Sequence, residues 1–172
     1  MNLMKKNNRS ITLLGMPASG KSTIGKILAK KLGWDFVDLD ELIKEKIGKR
    51  YDEILEQEGE RKLLDLENRF TLELDFGRNL VFSPGGSIIY SLEAINKIKK
   101  ESWVVHIDLP LEEIEKRLKE RPIKGGVVGL KEKGLRGLFI ERNSIHIKIA
   151  DHIIDAKGLN EADLVSKILR LL

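Results

Sequence analysis

The sequence predicts an α/β fold in which a five-stranded parallel sheet is flanked by helices. Five short apolar segments of strand length alternate along the chain with segments whose apolar residues recur at helical spacing. Such alternation is typical of a parallel sheet that helices cover on both faces. Three of the apolar segments lead into glycine-rich or acidic sequences, which places candidate functional residues at one edge of the sheet.

The predicted strands are SITLLG, WDFVDLD, NLVFSPGG, WVVHIDL and DHIIDA. The first ends in a glycine, and Pro84 with the two glycines after it stops the third. In open parallel sheets, ligands bind beyond the carboxyl ends of the strands. The segments GMPASGKS, DLD and SPGG all fall at such ends, so we expect them to form one site.

Helical spacing predicts a helix in each stretch between the strands. The segment 51–75 is helical, with Gly59 as a point of interruption. Ser91 is the expected N-cap of a helix that ends near Lys100. The other predicted helices cover 21–32, 42–47, 111–120 and 160–172.

Length and composition limit the class of protein. A chain of 172 residues suits a single domain, 1–172, with a substantial core. It has no cysteine, which excludes disulfides, thiol catalysis and cysteine metal sites, and the expected location is the reducing cytoplasm. No apolar run of signal-peptide type follows MNLMKKNNRS, and ITLLG is too short to span a membrane.

Charge is spread along the chain. The net charge of +4 arises from 31 basic and 27 acidic side chains, and lysines and glutamates are interspersed along the predicted helices. This pattern is typical of solvated helix faces with i,i+4 pairs rather than of a nucleic-acid surface. We expect a monomer that acts on a small molecule, with neither nucleic acid nor membrane as a partner.

The segment GMPASGKS matches G-x-x-x-x-G-K-[ST] and lies between a strand and a helix, as this motif requires. Backbone amides of such a loop bind phosphates, the lysine bridges the β- and γ-phosphates, and the hydroxyl after it binds Mg²⁺. The motif therefore predicts a nucleoside triphosphate site. Its expected residues are Gly15, Ala18, Ser19, Gly20, Lys21, Ser22 and Thr23.

Two other classes of protein with this loop are disfavoured. GTPase switches need the guanine-reading sequence N-K-x-D, and the nearest string, Asn96-Lys97-Ile98-Lys99, lacks the aspartate. The chain is also too short for a large motor ATPase.

Asp38 and Asp40 lie two residues apart at the end of the second predicted strand. The period of two in a strand sends both side chains to the same face, where two carboxylates call for a cation or a hydroxyl donor. One interpretation is a pair of helix-capping acids. The other places Asp38 near Mg²⁺ and Asp40 on a substrate hydroxyl, whose proton it accepts during phosphoryl transfer.

The segment 121–135 departs from the regular pattern. It contains glycines at 125, 126, 129 and 134, carries basic residues throughout and has weak periodicity. It is either a loose surface connection or a mobile lid that closes over phosphates. Arg121 at its start favours the lid.

In these segments the sequence resembles the shikimate kinase family, small single-domain P-loop kinases of the nucleoside-monophosphate-kinase-like group. The resemblance runs from Ser10 to the end of the chain. It is carried by GMPASGKSTIGKILAKKLGWDFVDLDELI and IGKRYDEILEQEGERKLLDLE, and more weakly by SPGG, ERP, and ER followed by IAD. It implies a three-layer P-loop kinase fold, ATP with Mg²⁺, and transfer of the γ-phosphate to the 3-hydroxyl of shikimate in aromatic amino-acid biosynthesis.

The resemblance also implies roles for individual residues. Asp38 matches the magnesium-side aspartate, and Asp40 matches the aspartate on the substrate hydroxyl. Arg121 matches the lid arginine that reaches the transferring phosphate. Arg117 matches an arginine that stacks on adenine, and Arg142 matches one that grips the substrate carboxylate.

Two departures from the family pattern concern residues expected to contact the substrate. Gly85 and Gly86 match the first two of three glycines near the substrate, but Ser87 takes the third place. Leu64 stands where the family has an arginine that clamps the substrate carboxylate. Arg61, three residues earlier on nearly the same helix face, could replace it. Alternatively, the substrate is another small hydroxylated metabolite, or the chain is a non-catalytic nucleotide-binding module.

Overall fold

The five predicted strands form one parallel sheet in a computed structural model of the chain, which describes residues 9–77, 79–123 and 126–171. The strands are β1 (Ser10–Leu14), β2 (Asp35–Asp38), β3 (Leu80–Ser83), β4 (Ser102–Asp108) and β5 (His152–Asp155). Their order in the sheet is β2-β3-β1-β4-β5, and all four pairings are parallel. The predicted sheet is thus confirmed, with β1 at its centre between β3 and β4.

Helices cover both faces of the sheet and make three layers. They are α1 (Lys21–Leu32), α2 (Leu39–Ile47), α3 (Tyr51–Glu73), α4 (Leu92–Glu101), α5 (Leu111–Glu120), α6 (Leu130–Ile149) and α7 (Glu161–Leu171), with a short 3-10 helix at Ile88–Tyr90. None of these helices, within the described ranges, has the length and apolar character needed to cross a membrane.

The core divides into two clusters of buried apolar side chains. One cluster joins the central strands to α1 and α7 and includes Ile11, Leu13, Ile24, Leu28, Val105 and Ile168. The other joins the sheet to α2, α3 and α4 and includes Leu14, Leu39, Ile54, Phe70, Phe82 and Ile95. Apolar burial on both faces explains why the strands read as nearly continuous apolar runs.

Local signals predicted several helix boundaries correctly. The hydroxyl of Ser91 accepts a hydrogen bond from the backbone N–H of Ala94, so this serine is the N-cap of α4. Gly59 interrupts α3 with φ 85° and ψ 171°. That conformation lies in the left-handed half of backbone space, which glycine adopts without a steric penalty.

The boundary between β2 and α2 differs from the prediction. The strand ends at Asp38 and the helix begins at Leu39, so Asp40 lies in the first turn of α2 and not in the strand. The carboxylate of Asp38 caps this helix by accepting hydrogen bonds from the N–H groups of Asp40 and Glu41. The capping interpretation therefore holds for Asp38, and the strand periodicity proposed for the two aspartates is wrong.

The second half of the segment 121–135 belongs to α6, which begins at Leu130 and is kinked at Gly134. Ahead of the helix, Val128 is buried and the N–H of Gly129 donates to Glu60 at 2.7 Å. A β-carbon at Gly126 would lie 2.2 Å from Leu55. This part of the segment therefore packs against α3, and residues 124 and 125 lie outside the described residues.

Candidate active site

A cavity of about 260 Å³ opens at the carboxyl ends of β1, β2 and β3. The strand order brings these three ends side by side, so the segments GMPASGKS, DLD and SPGG meet there as predicted. The cavity is also lined by α3, α6 and the segment before α6. Its polar and charged side chains are Lys21, Ser22, Asp38, Asp40, Tyr51, Ser83 and Arg142.

The loop between β1 and α1 has the backbone of an anion-binding turn. Ala18 and Gly20 both have positive φ, 62° and 93°. Gly15 is closely packed, since a β-carbon there would lie 2.7 Å from the hydroxyl of Ser19 and 3.0 Å from the carbonyl of Ile107. No side chain caps α1, which leaves its first N–H groups available to an anion.

Lys21 lies against the loop from which it emerges. Its ammonium group donates to the carbonyl oxygens of Gly15 and Met16, at 2.9 and 3.0 Å. The pKa of Lys21 is lowered to about 8, mainly by burial; Asp40 and Asp38 oppose this shift, and the nearby Arg142 adds to it. The lysine is thus a cation in a partly desolvated site, where its attraction for phosphate oxygens is stronger than in water.

Ser22 and Asp38 form a pair of oxygen ligands beside the loop. The Ser22 hydroxyl donates to one carboxylate oxygen of Asp38 at 2.5 Å, while the other oxygen caps α2. Hydroxyl and carboxylate oxygens are donors that Mg²⁺ prefers. Their chemistry therefore fits the cation that a bound nucleoside triphosphate would bring.

Asp40 has a carboxylate open to the cavity, and no hydrogen bond from another described side chain reaches it. The surrounding protein nevertheless desolvates the group and raises its pKa to about 6, with Asp38 adding to the shift and Lys21 opposing it. A carboxylate with a raised pKa is a better proton acceptor than an aspartate with the ordinary pKa. It is therefore suited to binding and deprotonating a hydroxyl.

Arg142 is the largest fully buried side chain in the described part of the molecule, with 1% of its surface exposed. One guanidinium nitrogen donates to the carbonyl of Val128 at 2.8 Å, and Nε has no hydrogen-bond partner among the described residues. No carboxylate described here pairs with it. Burying an unpaired charge is costly, so this guanidinium is prepared for an anion within the cavity.

Gly85 and Gly86 leave room for the protein's own charged groups. A β-carbon at Gly85 would lie 2.6 Å from Glu67 and 3.3 Å from Asp40, and one at Gly86 would lie 2.6 Å from Arg142. All three distances are shorter than an ordinary van der Waals contact. These glycines therefore allow the acidic and basic groups of the site to approach the loop after β3.

Arg117 and Arg121 line a second cavity, of about 470 Å³, on the other side of the phosphate loop. Arg117 donates to the carbonyl of Ala18 at 3.2 Å, and Thr23 lines the same space. Arg121 is exposed at the end of α5 and lies outside the cavity that holds Asp40. The two cavities share Ala18 and Ile123, so they adjoin at the phosphate loop.

Arg61 does not take the place of the missing arginine in this structure. Its side chain is exposed and lines neither cavity. After the break at Gly59, α3 buries Leu63 and Leu66 and leaves Arg61 on the solvent side. Leu64 is half-buried against the second apolar cluster.

The sequence analysis missed Tyr51 as a site residue. It lines the first cavity, and its hydroxyl lies 3.0 Å from that of Ser87. Ser87 in turn lies 2.7 and 2.8 Å from the two carboxyl oxygens of Glu67, which is fully buried. Burial raises the pKa of Glu67 to about 8. No local motif marks a tyrosine at a helix start as a site residue, so only packing reveals it.

The family model for shikimate kinase matches residues 17–172. The chain belongs to the shikimate kinase family. It is 37% identical over 164 residues to the shikimate kinase of Persephonella marina, covering 94% of this chain and 97% of that protein. The shikimate kinase of Sulfurihydrogenibium sp. is also 37% identical, with 94% and 96% covered.

Solved structures agree with this membership of the shikimate kinase family. The shikimate kinase of Acinetobacter baumannii, in complex with shikimate, has a TM-score of 0.84 and 31% identity, with 96% of this chain and 93% of that chain covered. The shikimate kinase of Aquifex aeolicus has a TM-score of 0.78 and 31% identity, with 94% of each chain covered. As a member of this family, the chain is an ATP-dependent phosphotransferase with a hydroxyl acceptor.

Proposed function

We propose that this chain phosphorylates the 3-hydroxyl of shikimate with ATP, a step of aromatic amino-acid biosynthesis. The observation that supports this acceptor is the buried, unpaired guanidinium of Arg142, which lies in the same cavity as Asp40 and Lys21. A compound with a carboxylate at one end and a hydroxyl at the other would satisfy both Arg142 and Asp40. Relatives at 37% identity carry the name shikimate kinase, and one structural neighbour was solved with shikimate bound.

Asp40 would orient the acceptor hydroxyl and take its proton as the bond to phosphorus forms. Lys21 and the amides at the start of α1 would hold the phosphate oxygens on the far side of the cavity. Ser22 and Asp38 would hold Mg²⁺, which when bound would supply positive charge against the nucleotide phosphates. Catalysis would then rest on positioning and electrostatic stabilisation, the usual contributions of a protein to phosphoryl transfer.

Arg117 and Arg121 would bind the nucleotide. Arg117, held against Ala18, would contact the adenine at the second cavity. Arg121 would reach the transferring phosphate when the lid, 121–135, closes over the phosphate loop. The two adjoining cavities support this arrangement, because they give nucleotide and acceptor separate entrances to one loop.

A coupled assay of ADP release with millimolar shikimate tests the proposal. We expect release well above the ATPase rate without acceptor, and we expect Asp40→Asn to abolish the acceptor-dependent part. No increase with shikimate would reject the substrate. Turnover that survives Asp40→Asn would reject the role of Asp40.

A second candidate is a kinase for a different small hydroxylated metabolite. Leu64 and Ser87 favour it, as does the exposure of Arg61, because Arg142 is then the only guanidinium of the described residues that lines the acceptor cavity. A panel of polyols, hydroxylated amino acids and related acids would discriminate. A non-catalytic nucleotide-binding module is the third possibility, and any acceptor-dependent turnover that requires Asp40 would eliminate it.

The remaining proposals concern the state of the protein. We infer that residues 1–172 act as one domain and as a cytoplasmic monomer, without nucleic acid or membrane as a partner. The interspersed charges that give a net +4 support this. Light scattering of the purified protein measures the mass, and a dimer at micromolar concentration would contradict the monomer.

A further inference from the structure

A chain of three side chains connects the wall of the acceptor cavity to the protein interior. Tyr51, at the start of α3, lines the cavity and shares a hydrogen bond with Ser87. Ser87 shares the next one with Glu67, also on α3, and both Ser87 and Glu67 are fully or almost fully buried. The link between the tyrosine and the glutamate passes through the hydroxyl of Ser87.

Each hydroxyl in the chain has one proton, so the protonation of Glu67 sets the direction of all the hydrogen bonds. If Glu67 carries a proton, it can donate to Ser87, which then donates to Tyr51 and leaves the Tyr51 O–H free for a ligand. If Glu67 is ionised, it can only accept a hydrogen bond. Ser87 then donates to Glu67, and Tyr51 donates to Ser87. The cavity wall presents a donor in the first state and an acceptor in the second.

The surroundings of Glu67 favour the protonated state near neutral pH. Burial raises its pKa to about 8, Asp40 adds to the shift, and the Ser87 hydrogen bond and Arg142 oppose it. Burial also raises the pKa of the Tyr51 phenol, with Glu67 as the second cause. Tyr51 therefore keeps its proton and can act as a donor across the physiological range.

We propose that Tyr51 determines acceptor specificity by donating its hydroxyl to a carboxylate oxygen of the acceptor, and that Ser87 and Glu67 hold this hydroxyl in the donating orientation. The inference rests on the proposed function and identifies a second group for the acceptor carboxylate. Leu64 cannot bind a carboxylate, and Arg61 lies outside the cavity, so Arg142 alone supplies a guanidinium. A fixed phenolic donor in the same cavity as Arg142 adds a directed hydrogen bond without adding another buried charge.

Steady-state kinetics of the full chain with shikimate and ATP test the inference. We expect Tyr51→Phe to raise the KM for shikimate about tenfold, the loss of one hydrogen bond to a charged group, while kcat and the KM for ATP change less than about twofold. Ser87→Ala should raise the same KM, and the double variant should be no worse than Tyr51→Phe alone, because both changes remove one interaction. Tyr90→Phe is the matched control, since it removes a buried hydroxyl outside the cavity and keeps the ring.

The variant Glu67→Gln distinguishes a role of Glu67 in orienting the Tyr51 hydroxyl from a role in packing alone. The glutamine amide can donate to Ser87 at any pH, so above pH 8 the KM of this variant for shikimate should rise less than that of the unaltered enzyme. Any change in Lys21 affects both proteins and cancels in the comparison. A role in packing alone would move the melting temperature of the variants and leave this pH profile unaltered.

These experiments distinguish failure of the proposed function from failure of the inference about Tyr51. If the unaltered enzyme releases no ADP with shikimate, the proposed function and the inference are both overturned. If release is normal and Tyr51→Phe, folded as judged by its melting temperature, keeps the KM for shikimate, the inference alone is overturned. Parallel pH profiles of the unaltered enzyme and Glu67→Gln would likewise reject the orienting role of Glu67.

Discussion

Gly86 lies directly against Arg142, so that a β-carbon at position 86 would come 2.6 Å from Nη1 of the guanidinium. Arg142 belongs to α6 and Gly86 to the loop after β3, and the two are in contact only because the sheet and α6 pack around one cavity. The glycine thus helps to fix the position of the buried guanidinium that lines the cavity of Asp40. This relationship leads to a first prediction.

Gly86→Ala should displace the guanidinium and raise the KM for shikimate at least tenfold, with the KM for ATP nearly unchanged. The control is Gly137→Ala in α6, where the nearest atom to the new carbon would be 3.4 Å away, an ordinary contact. Both values come from initial rates of ADP release. An unaltered shikimate KM in Gly86→Ala would show that Arg142 does not bind the acceptor from its present position.

Arg142→Met should lower activity and preserve stability. Loss of a charge-assisted contact worth about 1.5–3 kcal/mol corresponds to a rise in KM of roughly ten- to 150-fold. Removal of a buried charge that no described carboxylate neutralises should leave the free energy of unfolding equal or higher, despite the lost bond to Val128 and the lost contact with the Tyr90 ring. Urea denaturation measures the second effect. A large loss of stability would mean that Arg142 has a structural partner when the protein is folded in solution.

Glu67→Gln should alter the pH dependence of stability. The folded protein holds the Glu67 proton up to a pKa of about 8, whereas the ordinary value is 4.5. Between these values the folded state binds a proton that the unfolded chain lacks, so the stabilisation is fully present below pH 4.5 and is lost as pH rises toward 8. The free energy of unfolding should therefore fall more steeply from pH 5 to pH 8 in the unaltered protein than in Glu67→Gln. Identical slopes would show that Glu67 is not buried in its neutral form.

Asp38→Asn and Asp38→Ala should separate the two roles of Asp38. Asparagine can cap α2 as well as aspartate does, whereas alanine loses the cap at a cost of about 1 kcal/mol. We expect both variants to need more Mg²⁺ for half-maximal activity, and only Asp38→Ala to lose that stability. Magnesium titrations and thermal denaturation provide the two readouts. Normal magnesium dependence in Asp38→Asn would restrict this residue to capping.

Much of the fold follows from local sequence. The order of the strands, six of the seven described α-helices, the break at Gly59 and the cap at Ser91 depend on residues a few positions apart, and these predictions are confirmed. The start of α2 was misplaced because Asp38 reads equally well as a strand end and as a cap. The whole of α6, Leu130–Ile149, was not predicted, and the glycines in its first part obscure the helical periodicity there.

The same distinction between local sequence and tertiary packing applies to the site. By itself, the sequence determined the phosphate loop, since a turn of eight residues binds phosphate largely through its own backbone. Only the tertiary structure decided which basic group reaches the acceptor cavity: Arg142 is buried in it and Arg61 is not. The same holds for the contact of Tyr51 with Ser87, 36 positions away, and of Ser87 with Glu67, 20 positions away. Spacing along a helix gives the direction of a side chain, but whether that direction leads to a cavity or to solvent depends on how helices pack on the sheet.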